Sequence, residues 1–131
     1  MMNSLAIAIL LGLAPGPGDE IAVPDGHVVE PYLSAFFPVS LRRDPAGRLL
    51  VGAYQSVLVE EALGQWTEAA TGDFLATAVD MGPDGTLYIG DSQWSVLAGQ
   101  GIVWALPPGS STPEMVCWAP GFWQGLAVLP D

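Results

Sequence analysis

The sequence predicts an all-β chain of short antiparallel strands joined by tight turns. Three observations carry that expectation. Apolar residues make up 50% of the chain and charged residues only 13%, so there is material for a core and little for a solvated tail. The chain holds 16 Gly and 12 Pro, too many breakers for long helices. A strand, turn, strand unit also recurs. Residues 37–54, turning at Asp44-Pro45-Ala46-Gly47, are echoed by residues 75–91, turning at Gly82-Pro83-Asp84-Gly85, with Gly47 and Gly85 38 positions apart.

Taken in order, residues 5–14 are an apolar run that is too short to span a bilayer as a helix and fits the apolar region of a signal peptide. That reading assigns residues 1–18 to a leader and leans towards export, to a periplasm or the extracellular space. No base precedes the run, however, and Pro15 follows Ala14 directly. The rival reading makes residues 3–9 a buried strand. Residues 20–23 and 27–33 flank the turn Pro24-Asp25-Gly26 and read as a hairpin. Residues 37–43 and 49–54 flank the first repeated turn, where Pro presets φ and Gly tolerates a positive one. A second pair follows at 56–60 and 65–69. The next copy supplies 75–81 with 87–91, then 101–106 with 114–118, and residues 122–131 open a third.

Four short antiparallel strands at this spacing form the pattern of β-propeller blades, against a coincidental pair of hairpins. The expected blades cover residues 36–70 and 74–119, with a partial blade at 19–34 and the first strand of another at 122–131. Propellers close at about four to eight blades. The chain therefore reads as about half of a six-bladed ring, either a truncated gene product or one half of a homodimer that closes the ring.

The run Gly82-Pro83-Asp84-Gly85-Thr86-Leu87-Tyr88-Ile89-Gly90-Asp91, then residues 101–109 and 123–128, resembles the six-bladed propellers of the NHL-repeat and senescence-marker-protein/gluconolactonase group. The resemblance covers roughly residues 19–131 and implies a divalent metal at the channel mouth, held by an inner-strand Asn or Asp. The matching positions are Val39, Thr77 and Gln124. Val39 cannot ligate, Thr77 is a poor ligand for a hard cation, and Gln124 offers only a longer amide oxygen. The leading expectation is a propeller fragment acting as a binding or scaffold module without a complete catalytic site. The alternative is a lactonase-like hydrolase whose catalytic residues lie outside this chain or on a partner, and only that alternative brings in a divalent cation.

The net charge of −11 is built from 14 acids and three bases, Arg42, Arg43 and Arg48. With no base after Arg48, a nucleic-acid backbone is excluded as a partner, and a small molecule or a protein remains. Cys117 is the sole cysteine and lies in the apolar run Met115-Val116-Cys117-Trp118, which predicts a small buried side chain. Nothing brings it to His27, the one histidine, and no Gly-x-Ser-x-Gly elbow supports a serine triad. Asp80, Asp84 and Asp91 imitate calcium-loop spacing, but Gly82 at the third position and strand-like flanks favour a hairpin turn. Trp66, Trp104 and Trp118 are expected to pack between strands. Trp94 and Trp123, with Gln124 and Thr77, are the candidates for a binding face. Arg42 and Arg43 adjoin Asp44, which suggests a surface ion pair before an anionic-ligand contact.

Overall fold

A computed structural model describes residues 25–26, 33, 35–92, 100–120 and 125–129. The chain divides into two compact units, Met1–Pro38 and Val39–Asp131. In the first, Asp25 and Gly26 form a turn with Gly26 at φ +83°, and Phe36 and Phe37 are exposed. The leader or first strand expected at 1–18, and most of the hairpin expected around Pro24, lie outside the described residues.

Six strands form the sheet: β1 (Pro38–Arg43), β2 (Leu49–Ala62), β3 (Gln65–Met81), β4 (Leu87–Ser92), β5 (Gln100–Leu106) and β6 (Glu114–Pro120). They pair in chain order as one open antiparallel meander with no helix among the described residues. Local chemistry explains the connections. In the β1–β2 turn the Gly47 N–H donates to Asp44 O at 2.9 Å, and in the β3–β4 turn the Gly85 N–H donates to Gly82 O at 3.0 Å. Gly47 and Gly85 both sit at φ +84°, a conformation that disfavours any Cβ.

The expected all-β class holds, but the propeller and its family resemblance do not. The sequence reading ends one strand near Tyr54 and starts another at Ser56, and it separates two blades between residues 70 and 74. In the structure β2 and β3 run through both breaks as 14- and 17-residue strands. β3 is hydrogen-bonded to β2 from Leu75 back to Gln65 and to β4 from Ala76 to Met81. The ladder thus crosses the expected boundary between blades, and the sheet is not an arrangement of separate four-stranded blades around a channel. Gly72 and Asp73 are poor strand formers. The fold absorbs them as irregularities: Tyr54 pairs with Leu75 while Ser56 pairs with Thr71, and Gln55 takes a positive φ of 62° between them.

Beyond that irregularity, β1 and the first part of β2 come close to Ala76 in the later part of β3. The Ser40 hydroxyl donates to Ala76 O at 2.7 Å. Gly52 lies beneath this contact, and a Cβ there would overlap Ser40 Oγ and Ala76 O. Around this contact Leu50, Val57, Val59, Ala70, Phe74, Ala76, Val79, Leu87, Ile89 and Leu106 form one core, with Ala69, Met81 and Trp104 packed against it. Each large apolar side chain removed from water here contributes about 1.5–3 kcal/mol.

Candidate functional site

Among the described residues three carboxylates are buried, and each is engaged by the fold. Asp91, fully buried, accepts the Leu75 N–H at 3.0 Å and the Trp104 indole N–H at 3.2 Å. It therefore anchors β3 where that strand changes partners from β2 to β4. Asp80 accepts its neighbour Met81 N–H at 2.9 Å and the Val128 N–H at 2.8 Å, and lies 3.5 Å from Arg42 Nε. Asp44 accepts the Arg48 backbone N–H at 2.8 Å and its Nε at 2.7 Å. Arg48 also reaches Glu61 at 2.7 Å, and its guanidinium pKa is raised first by the Asp44 hydrogen bond. A buried acid needs such donors, and these have them.

These contacts correct one ionic expectation. Arg42 and Arg43 do not pair with Asp44: Arg42 faces Asp80, Arg43 donates to Gly47 O at 2.7 Å, and Arg48 is the partner of Asp44. The calcium-like spacing is a hairpin turn, as the strand-like flanks suggest. Asp84 accepts the Thr86 N–H at 3.0 Å and its hydroxyl at 2.8 Å, and those bonds hold its carboxyl below the ordinary value. Asp80 and Asp91 point into other parts of the sheet. Among the described residues no three His, Cys, Asp or Glu side chains gather around one point.

Of the residues named for a binding face, Thr77 alone is described. Its hydroxyl donates to Gly90 O at 3.1 Å and lies 3.1 Å from Ser92 Oγ, inside the β3–β4 joint. Trp94, Trp123 and Gln124 lie outside the described residues, as does His27. Comparison with known proteins finds no matching family model, no matching curated protein and no matching solved structure.

The feature that the sequence reading missed is β6. Cys117 was expected to be buried and Trp118 to pack between strands, yet Cys117 is exposed and Trp118 is 58% exposed. Met115 and Val116 are exposed to a similar degree, at 56% and 57%. By contrast Trp104 packs on the core as expected. Among the described residues β6 has one neighbour, β5, because it ends the sheet, and its apolar run is left open to solvent. Val103 pairs with Cys117 while Trp104 pairs with Met115, leaving Val116 as an extra residue that kinks the strand. A cluster of five apolar residues with no charge between Glu114 and Pro120 was the available signal. Only the position of the strand at the edge gives it meaning.

Proposed function

We propose that this chain is a binding and scaffolding module without a complete catalytic site of its own. The observation that carries the reading is the exposed apolar edge strand β6, where Met115, Val116 and Trp118 are each more than half exposed. Contiguous exposed apolar surface of this kind marks interaction sites in soluble proteins. Trp and Met are among the residue types enriched in such contacts. The buried acids support the same reading, since Asp44, Asp80 and Asp91 act as structural acceptors and not as groups facing an open site. The low share of cations directs the expected partner towards apolar or neutral surfaces and away from nucleic acid.

The test is binding of an uncharged apolar dye, Nile red, to the folded chain. Its emission should rise with wild-type protein and fall sharply with the double variant Met115→Ser and Trp118→Ser, while the far-UV spectrum and Tm stay unchanged. Dye binding that persists in that folded variant overturns β6 as the binding edge.

A further inference from the structure

Resting on the reading of β6 as a binding edge, we propose that its partner is a second copy of this chain, with β6 of one copy pairing antiparallel to β1 of the next. Among the described residues β1 and β6 are the two strands with a single neighbour in the sheet. In an antiparallel meander of six strands the first and last run in opposite directions. A second copy held in the same orientation therefore presents its β1 antiparallel to β6, which continues the hydrogen-bond ladder without reversing the pleat.

Charge selects this combination over the others. Of the three bases in the chain, Arg42 faces Asp80 and Arg48 is held by Asp44 and Glu61, which leaves Arg43 at the end of β1 as the base without a carboxylate among the described residues. β6 carries Glu114 and no base. Pairing β1 with β1 brings Arg residues together, and pairing β6 with β6 brings no opposite charges together. Only β6 against β1 sets opposite signs across the contact, which matters for two copies that each carry a net charge of −11.

With Val116 left out of the ladder as the extra residue, the register that places Arg43 opposite Glu114 places Leu41 opposite Cys117 on the same face. Apolar residues along both edges are open to solvent: Val39 at 39% and Leu41 at 47% on β1, Val116 at 57% and Trp118 at 58% on β6, where Cys117 is exposed as well. Arg43 uses one N–H on Gly47 O and keeps its other donors for a carboxylate. The kink at Val116 and the proline that closes β6 blunt the edge against indiscriminate pairing, leaving Glu114 to Trp118 for a matched partner. The contact is heterologous, so its products are rings or longer chains of copies.

Size-exclusion chromatography with light scattering on the full chain tests the proposal. Wild-type protein should self-associate in a concentration-dependent way. Trp118→Asp and Leu41→Asp should each weaken association by roughly a hundredfold, and Arg43→Glu or Glu114→Arg alone by roughly tenfold. Mixing Arg43→Glu protein with Glu114→Arg protein should restore it, because each edge then meets its opposite charge. Far-UV spectra and Tm identify any variant that fails to fold. A monomeric wild type overturns the proposal, as do single charge variants that associate as tightly as wild type or a mixture no tighter than either variant alone. A monomeric wild type whose Nile red binding still depends on Met115 and Trp118 removes the self-pairing and leaves the binding edge standing. Loss of that dependence removes the binding edge itself.

Discussion

The joint where β2, β3 and β4 meet and the edge strand β6 are built from similar residues and behave in opposite ways. At the joint, Ala76, Leu50 and Ile89 are fully buried, Gly52 admits no side chain, and the buried Asp91 holds both a backbone N–H and the Trp104 indole. At β6 the run Met115-Val116-Cys117-Trp118 is at least as apolar, yet every one of these residues is exposed. The difference lies in neighbours, since at the joint β3 has strands on both sides and Ser40 and Gly52 set against Ala76, whereas among the described residues β6 has β5 alone. Hydrophobicity thus measures what a segment gains by being covered, and topology decides whether this chain covers it or a partner must.

Substitutions should separate the two regions. The largest effect is expected from Leu50→Ala, which empties a fully buried site and should cost about 4 kcal/mol in a urea titration. Gly52→Ala should follow at about 3 kcal/mol, because the new Cβ meets the Ala76 carbonyl, which is backbone and cannot swing away. Asp91→Ala strands two donors, the Leu75 N–H and the Trp104 indole, and should cost about 2–3 kcal/mol in the same titration. A smaller, pH-dependent effect belongs to Asp84, whose folded-state pKa lies below the ordinary 3.8 because Thr86 donates to the ionised form. A lowered carboxyl stabilises the fold fully above the unfolded-state value and loses that contribution as pH falls through the folded-state value. The stability gap between wild type and Asp84→Ala should therefore be present at neutral pH and close below pH 3.8. At the far end of the series, Trp118→Ser should change stability by no more than about 0.5 kcal/mol while changing dye binding and association. A large stability loss there would mean that β6 is covered within a single chain, and the contrast between joint and edge would fail.

Much of the fold was legible in the sequence. The turns at Gly47 and Gly85 were visible as paired breakers between apolar runs, and the strands β1, β4, β5 and β6 lie close to their expected positions. The continuity of β2 and β3 was not legible. Gly72 and Asp73 are locally unfavourable in strands, and only the pairing across the sheet shows that the chain carries on through them. That single difference turns separate blades into one open sheet. The candidate site was less legible still, since Cys117 and Trp118 have the composition of a core and the position of an edge.

By itself, then, the sequence determined the all-β class, the turn positions and the acidic, base-poor surface, because these follow from backbone preference, side-chain period and charge, which act between near neighbours. The tertiary structure decided which strands share a ladder, which carboxylates are consumed as acceptors, and which apolar run stays open. Those outcomes depend on contacts between residues such as Ser40 and Ala76 or Asp80 and Val128, whose meeting no local pattern specifies.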